Sequence, residues 1–168
     1  DGAQISPWHD VPLTNGEYFN FISEIPKFTK AKMEMSTKSQ FNPIMQDMKK
    51  GKLRDYHGPI FWNYGCLPQT WENPEVLHPA LNCKGDNDPL DVVEIGSKAL
   101  CCGSITQVKV LGVLAMIDDG ELDWKLIAID VNDPLSEKLS DIADLEAAQP
   151  EVISGIREWF RWYKTPDG

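Results

Sequence analysis

The stretch Ile105-Thr106-Gln107-Val108-Lys109-Val110-Leu111-Gly112-Val113-Leu114-Ala115-Met116-Ile117 is apolar over most of its length and is interrupted once, by Gly112. Asp118-Asp119-Gly120-Glu121 follows, a sequence suited to a tight turn, and then Trp124-Lys125-Leu126-Ile127-Ala128-Ile129-Asp130-Val131. The two runs are expected to form a hairpin. A glycine inside so long a strand marks a bend or bulge, as the corners of a small closed barrel require, so the architecture expected is a β-barrel. Working outward, Phe19–Ile25, Ile60–Leu67 and Leu90–Ile95 read as short strands bounded by Pro or Gly. Residues 30–36 alternate, with Lys30, Lys32, Glu34 and Ser36 on one side and Ala31, Met33 and Met35 on the other, as in a half-buried strand. Helix is confined mainly to the end. Pro150 sits at a start position, and Val152, Ile153, Ile156, Trp159, Phe160 and Tyr163 recur at helical spacing, leaving Arg157 and Arg161 outside. A shorter helix is expected over Asp141–Ala148, capped by Ser140 or Asp141.

The 168 residues suit one domain spanning 1–168, and 42% hydrophobic content supports a core. No apolar run approaches the roughly 20 residues that cross a bilayer, so no membrane partner is expected. The net charge of -10 would repel a phosphodiester backbone, which disfavours nucleic acid. Four cysteines without paired short spacing read as reduced thiols, and the three separated histidines share no metal-binding spacing. With no signal-like or transit-like start, a cytoplasmic address is expected. The net charge hides an asymmetry: Glu24 to Arg54 holds eight bases and three acids, whereas Asp86 to Asp144 holds four bases and thirteen acids. One part suits anions and the other cations, unless both are merely solvated faces.

Gly85-Asp86-Asn87-Asp88-Pro89-Leu90-Asp91 is the most informative segment. Asp86 and Asp88 fall on one side of an extended backbone, Pro89 fixes a turn, and Asp91 comes back toward the same point. Convergent carboxylates repel one another unless a cation joins them, and hard oxygen donors favour magnesium or manganese over zinc. The alternative is an Asp-rich loop whose side chains cap backbone amides. An EF-hand is excluded, because Asp91 stands where that loop requires Gly and Ser97 where it requires Glu. A second acidic group, Asp118, Asp119, Glu121 and Asp123, lies on the hairpin turn, with Lys125 on the same side of the strand as Asp123.

Gly85 to Val92 resembles the signature of the soluble family I inorganic pyrophosphatases. Glu24-Ile25-Pro26, Ala31-Lys32-Met33-Glu34, Lys49-Lys50-Gly51-Lys52-Leu53-Arg54, Asn63-Tyr64-Gly65, Pro68-Gln69-Thr70-Trp71-Glu72, Asp123-Trp124-Lys125 and Trp159-Phe160-Arg161-Trp162-Tyr163-Lys164 follow the family's order, in the animal and fungal (eukaryotic) type. The resemblance implies a mainly β fold, a five-stranded OB-like closed barrel with flanking helices, and magnesium-dependent hydrolysis of pyrophosphate to two phosphates. It makes Asp86, Asp91 and Asp123 ligands of the tightest metal, with Asp91 bridging to a second, and Asp88 the general base. It also implies that Glu24 and Glu34 bind metal directly or through water, and that Asp118 holds a metal arriving with substrate. Lys32, Arg54, Tyr64, Lys125, Tyr163 and Lys164 are implied to contact phosphate oxygens. Mg2+ is the expected cofactor, Mn2+ a substitute, and Ca2+ an ion that binds without supporting activity, because it acidifies bound water less. Removing Lys32, Arg54 or Lys125 is expected to weaken phosphate affinity and leave the fold intact.

The chain departs from the family at Asp55-Tyr56-His57-Gly58-Pro59-Ile60-Phe61-Trp62-Asn63, which is shorter than usual and has Ile60 in place of Tyr. The family also begins earlier and runs on past the Thr165-Pro166-Asp167-Gly168 end, so further terminal segments are expected. A homodimer is implied, with the Trp62–Trp71 region as a source of exposed apolar surface. The competing reading is a non-catalytic OB-like module, stabilised by metal, that binds a phosphorylated partner or single-stranded nucleic acid. That role needs aromatic platforms, and five of the six tryptophans sit in apolar patterns that suit a core.

Overall fold

The long apolar runs form the expected hairpin. In the computed structural model of the chain, residues 2–165 are described. Along them lie α1 (Pro7–Asp10), β1 (Thr14–Asn15), β2 (Tyr18–Ile25), β3 (Met33–Met35), β4 (Ile44–Gln46), β5 (Met48–Lys49), β6 (Lys52–Leu53), β7 (Asn63–Cys66), β8 (Asp91–Glu94), β9 (Ile105–Asp118) and β10 (Glu121–Asp130), then α2 (Ile142–Ala148) and α3 (Val152–Trp162). β9 and β10 pair from Asp118–Glu121 back to Val108–Asp130. Asp119 at φ 50° and Gly120 at φ 87° make the turn left-handed at both central positions, which matches the twist of the strands it joins. The register skips Leu111 between Gly112–Ile127 and Val110–Ala128, so the bulge lies beside the glycine that foretold it. A Cβ on Gly112 would stand 2.3 Å from Cγ1 of Ile142, so the same glycine also lets α2 lie against the strand.

β2, β7, β8, β10 and β9 are hydrogen-bonded in that order, and β9 returns to β2, so these strands close a five-membered ring with β1 as an extra edge on β2. β8 and β10 run parallel and the other pairs in the ring are antiparallel. Ile22 closes the seam by pairing with Cys66 on one side and Ile105 on the other. One face of α3 packs on the barrel through Ile156, Trp159 and Phe160, and Arg157 and Arg161 remain exposed. Trp159 meets Tyr56 edge-on with centroids 4.9 Å apart. Asp141 caps α2, its Oδ1 accepting the Asp144 N–H at 3.0 Å.

Several expected elements are shorter or displaced, each for a visible reason. The strand expected over 30–36 is in a ladder only at Met33–Met35, because the Lys30 carbonyl, the Lys32 N–H and the Lys32 carbonyl bond Tyr56, Arg54 and Asp47 instead. The run from Ile60 enters the sheet only at Asn63, since Ile60 pairs both backbone groups with the turn at Phe28 and Thr29. Pro150 lies outside α3, whose N-cap is Glu151 in left-handed geometry at φ 80°, as the sharp reversal after α2 demands. The tryptophans correct the core expectation: Trp159 is buried, but Trp71 and Trp162 are 50% and 51% exposed. Their indole N–H groups face polar partners, Asn87 and Glu158 respectively, so apolar spacing alone overstated their burial.

Candidate active site

One end of the barrel opens into a cleft of about 100 Å³ lined by Glu24, Lys32, Glu34, Tyr64, Asp86, Asp88, Asp91, Asp118, Asp123, Lys125, Tyr163 and Lys164. Each reaches it from a definable place. Glu24 is the last residue but one of β2, Asp91 starts β8, Asp123 and Lys125 share a face of β10, and Tyr163 and Lys164 follow α3 directly. Arg54, alone among the residues to which the family resemblance gives a role, is outside this lining. It stands behind Lys32, where Asp47 Oδ2 accepts from Arg54 Nη1 and, at 3.2 Å, from Lys32 Nζ.

The floor is an ion-pair network. Lys125 is 2% exposed, and its ammonium donates to Asp91 Oδ2 at 2.5 Å, Asp123 Oδ1 at 2.5 Å and the Tyr64 hydroxyl at 2.9 Å. Burial opposes its charge, but the Asp91 and Asp123 carboxylates outweigh that and hold the ammonium well above the ordinary lysine range. Tyr64 donates to the same Asp91 oxygen at 2.5 Å. On the near wall Lys32 donates to Glu34 as the strand alternation anticipated, and Glu34 and Asp47 raise its pKa against the pull of burial. On the far wall Asp118 accepts from Lys164 and, at 2.8 Å, from the Tyr163 hydroxyl. Burial alone would raise the Asp118 carboxyl, yet those donors carry it below its usual value.

The other carboxylates are pushed upward. Glu24 is 3% exposed, with Oε1 accepting the Met35 N–H at 2.7 Å, and burial followed by the Asp91 charge holds it well above the carboxylate range. Burial raises Asp86 and Asp123 as well, with Asp91 adding to both. Asp88, at the solvent-open lip, is brought to about 7 by desolvation against the cleft wall and then by the charges of Asp86, Asp91 and Glu34. Its backbone N–H bonds Asp86 Oδ1 at 3.0 Å, so part of the Asp-rich loop does cap itself, as the alternative reading supposed.

A family model described as inorganic pyrophosphatase matches residues 21–168. The chain belongs to the inorganic pyrophosphatase family. It is 53% identical to the inorganic pyrophosphatase of Drosophila melanogaster over 99% of its length and 52% of the relative's. Against that of Candida albicans it is 54% identical, covering 100% of this chain and 61% of the relative. These animal and fungal relatives place it with the eukaryotic pyrophosphatases, and it spans only half to three-fifths of their length. The crystal structure of an N-terminally truncated Trypanosoma cruzi vacuolar soluble pyrophosphatase in complex with PPi superposes with a TM-score of 0.93 at 47% identity, covering 99% of this chain and 68% of that one.

Set beside the family's motifs, the structure adds residues in and around the cleft to which no role was given from sequence. Tyr56 lines it. Asp47 ties Lys32 to Arg54 from the single residue that links β4 to β5. Glu72 lies within a quoted motif, yet only the fold brings one of its oxygens within 4.8 Å of carboxylate oxygens of Asp86 and Asp123. Gly85 makes that approach possible, since a Cβ there would fall 2.4 Å from the Glu72 carbonyl oxygen. Burial and then the neighbouring aspartates bring Glu72 to about 8. Ile60 is fully buried in the core and is not among the residues that line the cleft.

The raised carboxylates set a pH dependence for the chain without metal. Glu24, Glu72 and Asp88 ionise in the unfolded chain near pH 4 but higher when folded, so between about pH 4 and 8 the folded state holds more protons. Stability therefore falls as pH rises through that window. In chelator, the melting temperature is expected to be higher at pH 5.5 than at pH 8, and excess magnesium should abolish or invert the difference. A metal-free melting temperature that climbs toward pH 8 would contradict this.

Proposed function

We propose that residues 1–168 form one catalytic domain that hydrolyses inorganic pyrophosphate to two orthophosphates with magnesium as cofactor. The observation that carries the reading is the gathering, in one cleft, of every residue implied by the family motifs except Arg54, which stands directly behind Lys32. The donor set fits a hard divalent cation. It consists of oxygens, its carboxyls crowd one another, and Glu72 Oε2 is buried with no hydrogen-bond partner. Asp86, Asp91 and Asp123 hold the tightest ion, with Glu24 and Glu34 beside them and Asp118 at the substrate side. Bound there, magnesium supplies acidification of the attacking water and neutralisation of phosphate charge.

The chain's own groups do the rest. Asp88, raised to about 7, accepts the proton of the attacking water at its carboxylate. Lys32 and Lys125, both held charged by neighbouring carboxylates, meet phosphate oxygens together with Arg54, Tyr64, Tyr163 and Lys164. The Trypanosoma cruzi protein's complex with PPi supports this choice of substrate. The binding-module reading has no comparable support, because the rings in the cleft are the buried Tyr56, Tyr64 and Tyr163 and carboxylates outnumber lysines there. Free Cys66, Cys83, Cys101 and Cys102 support a reducing, cytoplasmic address. Among the described residues no helix is long and apolar enough to cross a membrane. A homodimer is proposed through exposed apolar surface near the Trp62–Trp71 region, where Phe61 is 55% and Trp71 50% exposed. Sedimentation showing only monomer at micromolar concentration would count against it.

Phosphate release from pyrophosphate tests the main reading. Release is expected with magnesium, with manganese as a weaker substitute, and none with calcium, although calcium should compete with magnesium for the site. No release with any divalent ion would remove the enzymatic reading, and calcium as effective as magnesium would overturn the metal assignment.

A further inference from the structure

Glu72 takes no part in the roles assigned above, yet it is placed with unusual care. Its N–H bonds the Asp88 carbonyl at 2.9 Å and its carbonyl accepts the Asn87 N–H at 2.9 Å, which stitches it to the acidic loop. The bridge between Gly85 and Leu122 joins that loop to β10, one residue before Asp123. The side chain is 8% exposed, and Oε1 accepts the Trp124 N–H at 3.0 Å, which fixes the plane of the carboxyl. Oε2 has no partner. A buried carboxyl oxygen left unpaired is costly, and such groups in folded proteins call for a specific occupant.

We propose that Glu72 supplies a further carboxylate oxygen to the cation that Asp86, Asp91 and Asp123 would hold. This rests on reading the cleft as a divalent-metal centre, and it adds a donor from behind the loop. One oxygen from each of Glu72, Asp86 and Asp123 lies within 4.8 Å of the other two. Around a six-coordinate magnesium ion adjacent donors stand about 3.0 Å apart and opposite ones about 4.2 Å, so binding an ion would draw the three carboxylates inward. Asp91 is differently engaged, with Oδ2 taken by Tyr64 and Lys125. A purely structural Glu72 needs only the oxygen that meets Trp124, and a glutamine supplies that equally well.

The test compares the parent chain with Glu72→Gln in two measurements, manganese binding by titration calorimetry and thermal unfolding in chelator. The expected result is a manganese dissociation constant raised at least about tenfold, with a metal-free melting temperature equal to or above the parent's. The glutamine keeps the Trp124 contact and is neutral, as the Glu72 carboxyl itself largely is below about pH 8 without metal, so the metal-free fold should not suffer. An unchanged dissociation constant overturns the proposal. So does a lowered metal-free melting temperature or a failure to fold, either of which would make Glu72 a scaffold for the loop. A parent chain that binds no divalent ion would instead overturn the metal-centre reading itself, and this proposal with it.

Discussion

Asp88→Asn is expected to lower kcat by a factor of about 100 to 10,000 while leaving pyrophosphate affinity and the magnesium dependence near those of the parent chain. Asp88 sits at the open lip of the cleft, where its carboxyl is brought to about 7, close to the working range of a base at neutral pH. Its backbone N–H, not its side chain, makes the bond to Asp86, so the amide should leave the loop in place. Asp86→Asn and Asp91→Asn should behave differently, because each removes charge from the cation's surroundings and raises the magnesium concentration needed for activity. A binding defect yields to mass action, whereas a missing base is a defect of the transition state that concentration cannot repair. Magnesium titrations of the three variants decide the matter. Full rescue of Asp88→Asn, or equal and unrescued losses in all three, would show the roles to be wrongly distributed.

Lys125→Met should destabilise the metal-free protein by about 3–5 kcal/mol, which corrects the expectation that this lysine can be removed without harm to the fold. Its ammonium is buried between Asp91 and Asp123, and deleting it leaves two crowded, largely buried carboxyls with no cation between them. Urea denaturation in chelator gives the number. Magnesium should restore part of the loss, because a bound cation answers the same charges, but activity should stay low for want of the phosphate contact. Lys32→Met and Arg54→Gln, on the more open wall, should raise KM with little change in unfolding. An unfolding midpoint for Lys125→Met indistinguishable from the parent's would mean that the buried carboxyls are not charged partners of this lysine.

The parts of the fold that could be read from sequence are those where one local rule governs. The Gly112 bulge, the Asp119-Gly120 turn, the Asp141 cap and the apolar face of α3 each follow from a few adjacent residues. The small hairpins β3–β4 and β5–β6 were not anticipated. β5–β6 in particular pairs just two residues per strand, and Met48 and Leu53 on it are exposed, so no buried face imprints a period. Pattern alone supplied the convergence of Asp86, Asp88 and Asp91 and the shared faces of Lys32 with Glu34 and of Asp123 with Lys125, and the rest of the cleft's membership came from motif resemblance. Glu72 and Asp47 escaped because their places depend on loops meeting across the barrel end, which spacing along the chain does not encode.

The parallel pairing of β8 with β10 places Asp91 opposite Lys125, Val92 opposite Leu126 and Val93 opposite Ile127. Side chains alternate across a strand, so sliding β8 by a single residue would turn its aspartate toward hydrocarbon and offer valine to the ammonium. That ammonium already lies 5.4 Å from the rings of both Tyr64 and Phe160, with nowhere wet to retreat. The bonds that furnish the cleft with charge therefore also proofread the alignment in which the ring may shut. A misaligned closure would bury this ammonium without its carboxylates, so a substitution at Asp91 or Lys125 should loosen the register of the ring as well as change the charge of the cleft.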